Sequence, residues 1–88
     1  MKLGETIEFV YNSITIICKY RHKYLIRLKF DCQLFDIGVL DKNFCLKLNN
    51  IQHSKVKLFL KDQNLIDKIF EFINEIKNVN YIEKIIEQ

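Results

Sequence analysis

Between Tyr24 and Phe30 the chain alternates strictly: Tyr24, Ile26, Leu28 and Phe30 fall on one side of an extended backbone, Leu25, Arg27 and Lys29 on the other. A side-chain period of two predicts a half-buried strand with one apolar and one basic face. Thr6–Tyr11 shows the same alternation, with Ile7, Phe9 and Tyr11 on one face and Glu8 on the other. Ile14–Tyr20 is rich in β-branched and aromatic residues, which suit a strand. Asn12-Ser13 and Arg21-His22-Lys23 are too short for crossover helices, so these three strands predict an antiparallel meander.

Beyond Phe30, the alternation of Phe35, Ile37 and Val39 predicts a fourth strand, with Gly38 marking a bulge or a close approach of backbone. Asp41-Lys42-Asn43 reads as a turn. Phe44–Leu48 fits a short strand with Phe44, Leu46 and Leu48 inward. It also fits helical turns with Phe44, Leu48 and Ile51 on one side, and periodicity does not arbitrate over so few residues. Asn49–Ser54 reads as a loop. Lys55–Lys61 predicts a strand with Val56, Leu58 and Leu60 inward and Lys55, Lys57 and Lys61 outward.

From Asn64 the period becomes helical. Leu65, Ile69, Phe72, Ile73 and Ile76 form a stripe, widened by Ile66 and Phe70. Asn64 is the expected N-cap, with Asp67 in the first turn. Asn78–Asn80 interrupts, and a short final helix is expected with Asn80 as cap, Glu83 as its capping-box partner and Tyr81, Ile82, Ile85 and Ile86 as apolar side. The fold class is therefore α+β: an antiparallel meander packed against a C-terminal amphipathic helix, with a short final helix.

The 88 residues are expected to form a single domain spanning 1–88. No apolar run approaches the ~20 residues of a membrane helix, and the first residues lack a signal peptide's pattern, so a cytoplasmic protein is expected. Absent Pro, Trp and Ala, and abundant Ile, Lys and Asn, suggest an AT-rich genome. The three cysteines, Cys18, Cys32 and Cys45, are widely spaced with no CxxC, so they read as reduced, mostly buried thiols and not as zinc ligands with His22 or His53.

Charge is unevenly placed although the net charge is only +3. Residues 15–30 carry Lys19, Arg21, Lys23, Arg27 and Lys29 with no acid, interleaved with Tyr20 and Tyr24. Phosphates attract Lys and Arg through counterion release, and exposed rings stack on unpaired bases. Lys19, Tyr20, Arg21, Lys23, Arg27 and Lys29 are the candidate RNA-contacting residues; a solvated sheet edge guarded by Lys is the competing explanation. Catalysis finds little support. His22 lies among cations with no adjacent acid, the His53-Ser54 pair is common by chance, and Asp31, Asp36 and Asp41 suit turns and caps. No catalytic, metal, cofactor or small-molecule site is expected.

Asp31-Cys32, Asp36, Gly38-Val39-Leu40-Asp41 and Asn43-Phe44 together resemble the opening of the eukaryote-specific large-subunit ribosomal protein family numbered twenty-two. That family has a strand ending in Asp-Cys, a turn with Asp-Gly, then Asp and a helix starting near Asn-Phe. Lys77–Ile86 is similar to the family's turn before a late strand. The resemblance implies an α+β domain that binds ribosomal RNA. A meander closed by one helix is also similar, by architecture alone, to pleckstrin-homology-like modules. The expected function is non-enzymatic RNA association, with a ribosomal component implied by the resemblance. The alternative is a protein-interaction module in a larger complex, using the Thr6–Tyr11 edge or the Tyr81–Ile86 stripe.

Overall fold

Four of the expected strands form where the alternation places them. The computed structural model describes residues 1–87, with side chains described for residues 1–79. Strands β1 (Thr6–Tyr11), β2 (Ile14–Tyr20), β3 (Tyr24–Phe30), β4 (Gln33–Leu40) and β5 (Leu46–Leu48) make one sheet in sequence order, each pairing antiparallel with the next. Helix α1 (Ser54–Phe59) and the long helix α2 (Gln63–Glu87) follow.

The turns carry the cost of a chain with only two glycines. Asn12 and Ser13, and again Asp31 and Cys32, take positive φ values of 46°, 51°, 50° and 59°. Two consecutive left-handed residues make the tight loop whose twist matches the flanking strands. Asn and Asp tolerate that conformation; Ser and Cys do so less readily.

One face of the sheet is covered. Ile14, Ile16, Cys18, Ile26, Leu28, Phe30, Ile37 and Leu40 are buried on it, against Val56 of α1 and Leu65, Ile69, Phe72, Ile73 and Ile76 of α2. Phe9 meets Phe72 with ring centroids 6.4 Å apart. The expected helix stripe is thus the buried one, except that Phe70 points outward, 54% exposed.

A bulge at Ile37 decides what faces what in β4. Ile26 pairs with Gly38, but Arg27 pairs with Asp36, so Ile37 is the extra residue. Without it Asp36 would stand opposite Leu28 in the core. With it, Phe35 takes that place and Asp36 reaches the open face beside Arg27. Gly38 is the close approach anticipated from the sequence: a Cβ there would strike the Lys47 carbonyl oxygen of β5. Of the ambiguous 44–48 stretch, Leu46–Leu48 is a strand, although Leu48 lies exposed and Phe44 sits before it at a φ of 61°.

The helices depart from expectation in four places. Lys55–Lys61 is not a strand; Ser54–Phe59 is helical. Val56 and Leu60 fit both a period of two and a period of 3.6, so only Leu58 and Phe59 discriminate. Leu58 is 65% exposed and Phe59 packs against the core, the helical outcome. The cap of α2 is Asp62, not Asn64: its Oδ1 accepts the Asn64 N–H at 3.0 Å. Asp67 lies outside the first turn and accepts from Gln63 Nε2 at 2.8 Å. Finally, α2 continues through Asn78–Asn80, so the short helix precedes the long one. The Asn80–Glu83 pair and the Tyr81, Ile82, Ile85, Ile86 stripe lie outside the residues whose side chains are described. Among the described residues no helix is long and apolar enough to cross a membrane.

Candidate nucleic-acid interface

In a meander, every second turn returns to the same end of the sheet. The β2–β3 turn at Arg21–Lys23 and the β4–β5 turn at Asp41–Cys45 therefore share an end, as the pairing of Tyr20 with Tyr24 and Tyr24 with Leu40 requires. The N-terminal segment is tied to this end too: the Gly4 N–H donates to the Tyr20 carbonyl at 2.8 Å, and Tyr20 N–H to the Glu5 carbonyl at 3.1 Å. Lys2, Arg21, Lys23 and Lys42, all exposed, converge here from three separate stretches. Lys19 and Lys47 stand on the adjoining row of the open face, in the order Thr6, Lys19, Leu25, Val39, Lys47.

Among the residues whose side chains are described, Glu5 and Asp41 are the acids at this end, and Asp41 is bonded within its own turn. Asp41 Oδ1 accepts the Asn43 N–H at 2.8 Å and the Cys45 N–H at 3.0 Å. These two bonds, Cys45 first, hold its carboxyl below the usual 3.8. The Asp41 backbone closes the same turn, accepting from Phe44 N–H at 2.9 Å and donating to the Cys45 carbonyl at 3.0 Å. Asp41 is thus engaged with its own turn's backbone, leaving Glu5 as the other acid. Two shallow clefts flank His22, which holds a φ of 62°. One, of about 410 Å³, is lined by His22, Lys23, Tyr24, Val39, Leu40, Asp41 and Lys42. The other, of about 340 Å³, is lined by Leu3, Gly4, Arg21 and His22.

The six candidates from the sequence separate on folding. Lys19, Arg21 and Lys23 belong to the basic end. Lys29 stands on the open face nearer the opposite end, across from Thr15 and Leu34. Arg27 is only 21% exposed, and its Nε lies 2.6 Å from Asp36 Oδ1 in a close charge contact that lacks hydrogen-bond alignment. Its charge is largely offset. Tyr20 is on the covered side, its ring centroid 4.9 Å from that of Tyr24, which in turn lies 5.3 Å from Phe44. Strand parity places Phe9, Tyr11, Tyr20, Tyr24, Phe30 and Phe35 all on the covered side, so among the described residues the open face carries no aromatic ring. Lys2, Lys42 and Lys47 were not singled out from sequence. The signal was available: a meander places the second and fourth turns side by side.

The remaining candidates are dispersed. Cys18 is buried, and burial pushes its thiol up to about 11, opposed in part by the amino terminus. Cys32 and Cys45 are exposed, contrary to the expectation of mostly buried thiols, and occupy opposite ends of the sheet. His53 lies against Phe35 and Phe30, with centroids 4.6 and 6.2 Å apart, at the end away from His22. Lys55 joins that end through an ion pair with Asp31.

No protein-family model, curated protein or solved structure matches the chain. The local features implied by the ribosomal resemblance are not reproduced either. Asn43-Phe44 leads into β5 and not into a helix, and Lys77–Ile86 falls inside α2.

Proposed function

We propose that this chain is a non-enzymatic RNA-associated protein that contacts phosphate through the basic end of its sheet. The observation carrying this reading is the convergence of Lys2, Arg21, Lys23 and Lys42, with Lys19 and Lys47 beside them, around a turn whose aspartate is engaged with backbone N–H groups. Such a cluster rewards an anionic backbone by releasing counterions. With Tyr20 packed on Tyr24 and no ring on the open face among the described residues, contact falls on phosphates and not on stacked bases. Sequence preference is then weak. Charge placement carries this reading without the ribosomal resemblance.

The test is fluorescence anisotropy of a labelled RNA across a salt series. The triple variant Arg21→Glu, Lys23→Glu, Lys42→Glu should weaken binding and reduce the slope of log affinity against log salt by about 1 for each phosphate no longer neutralised. Lys29→Glu should change both far less. Equal effects from the two variants, or no salt-dependent binding by the unaltered chain, would remove the proposal.

A second reading, an interaction module within a larger protein complex, is favoured by the open face. The half-buried Leu25 and Val39 make an apolar centre there over the buried Ile17, with Lys19, Lys29 and Lys47 around it. An apolar centre within a charged rim is the usual build of a protein interface. Purification with one protein partner and no RNA would favour it.

A further inference from the structure

The two edges of the sheet are protected unequally. At one edge, β5 has only three residues, with Lys47 in the middle, and the chain then ties itself back through the Asn49 N–H to the Ile37 carbonyl at 2.9 Å. A short edge carrying Lys is a recognised guard against edge pairing. At the other edge, β1 pairs with β2 in unbroken register over six residues and contains no Pro, Gly or Lys. Its only charged residue is Glu8, and Val10 is 68% exposed.

The direction of the β1 peptide groups follows from the hairpin. The two-residue loop Asn12-Ser13 makes Tyr11 and Ile14 a hydrogen-bonded pair. Bonded and unbonded pairs alternate along an antiparallel ladder, so Ile7, Phe9 and Tyr11 bond inward to β2. The peptide groups of Thr6, Glu8 and Val10 point to the open edge.

We infer that β1 pairs antiparallel with β1 of a second copy, about a two-fold axis passing beside Phe9, to give one continuous ten-stranded sheet. The register selects this partner. Centred on Phe9, it sets Glu8 opposite Val10 of the second copy, with both peptide groups in bonding orientation. It also sets Ile7 opposite Tyr11 of the second copy and Phe9 opposite Phe9, an apolar and aromatic row on the covered side. Ile7, Phe9 and Tyr11 are each only half-buried in the single chain, and the second copy completes their cover. A register centred on Glu8 would bring two carboxylates directly opposite each other. One centred on Val10 would run into the Asn12 turn. The cations of the RNA reading play no part here, and the basic ends stay exposed at opposite ends of the dimer.

Sedimentation velocity of the full chain without RNA, from micromolar to millimolar, should show a concentration-dependent monomer–dimer equilibrium. Val10→Pro deletes an outward N–H while keeping every β1–β2 bond, so the chain should stay folded by circular dichroism and dimerise about tenfold more weakly. The register is read independently in a Cys32→Ser, Cys45→Ser background. Glu8→Cys mixed with Val10→Cys should oxidise to a cross-linked heterodimer, whereas Glu8→Cys alone should not. A chain that stays monomeric to millimolar would overturn the inference. So would a dimer indifferent to Val10→Pro, or one cross-linked through Glu8→Cys on both copies.

Discussion

The two ends of the sheet are built from similar residues and reach opposite electrostatic outcomes. Each has a histidine, an aspartate and lysine: His22, Asp41 and Lys42 at one end, His53, Asp31 and Lys55 at the other. At the second end Asp31 pairs with Lys55, whose ammonium also lies 5.3 Å from the Phe30 ring and 5.9 Å from the Phe59 ring. His53 leans on Phe35. That end is an aromatic plug with its charge neutralised locally. At the first end Asp41 accepts backbone N–H groups and stays ionised beside Lys42 and Lys47, but Lys2, Arg21, Lys23 and Lys42, with Lys19 and Lys47, outnumber it. An excess of cations over acids at one end, set against the Asp31–Lys55 pair at the other, decides which end presents a positive field.

The largest effect that would sharpen this contrast is on stability. Phe30 is 6% exposed, stacked on Phe35 at 4.8 Å and edge-on to Phe59 at 4.8 Å. Phe30→Ala should cost about 3–5 kcal/mol, measured by urea unfolding. A domain of this size has roughly 5–15 kcal/mol to lose, so much of its margin would go. Arg21→Ala at the basic end should cost less than about 0.5 kcal/mol. Comparable losses at both ends would break the division into a structural end and a charge-bearing end.

That division was only half legible in the sequence. The four long strands were, because their alternation is strict and their links are short. The helical stretch at 54–59 was not, since Val56 and Leu60 satisfy both periods and the choice turns on whether Leu58 or Phe59 is inward. The availability of Arg27 was not legible either. Its neutralisation depends on the Ile37 bulge, which moves Asp36 onto the open face, and a bulge is a property of the paired strands. Lys2 and Lys42 lie far from Arg21 along the chain, and only the order of turns brings them together. Local pattern carried the fold; charge partnership needed the register.

The thiols offer a second probe of the same contrast, with one at each end and one beneath the sheet. Cys32 and Cys45 should react with a disulfide reagent in the native protein at neutral pH, and Cys18 only on unfolding. Because the folded thiol of Cys18 titrates near 11 and the unfolded one at 9.0, its contribution is intact below pH 9 and is lost as the pH rises towards 11. The loss should be on the order of 1–2 kcal/mol once solvent screening is allowed for. Three thiols reacting at one rate would mean that the sheet opens at Cys18.

A smaller effect is expected from Asp41 in acid. Its folded carboxyl titrates below the ordinary 3.8, so the stability it adds is present above that value and is lost as the pH falls through the lower one. Amide exchange at Asn43 and Cys45, whose N–H groups the carboxylate holds, should accelerate over that window ahead of global unfolding. Asp41→Ala should show the faster exchange already at neutral pH. Protection unchanged by acid would mean that the backbone bonds of the turn suffice, and that Asp41 is not what keeps it closed.

The smallest effect tests the neutral end. The Lys55–Asp31 pair is exposed, 49% and 67% at the side chains, and such pairs contribute about 0.2–1 kcal/mol. Lys55 also covers apolar ring surface with its stem, so Lys55→Ala removes packing as well as charge. Lys55→Met keeps the stem and removes the ammonium. A double-mutant cycle of Lys55→Met with Asp31→Asn isolates the pairing, and about half a kcal/mol of coupling, falling with salt, is expected. The ligand readout is more decisive than the energy. If Asp31 neutralises Lys55, Asp31→Asn should raise RNA affinity only slightly. That end lacks the other converging cations, so releasing one lysine does not build a second site. A rise as large as the fall caused by Arg21→Glu, Lys23→Glu, Lys42→Glu would show that the RNA spans both ends of the sheet.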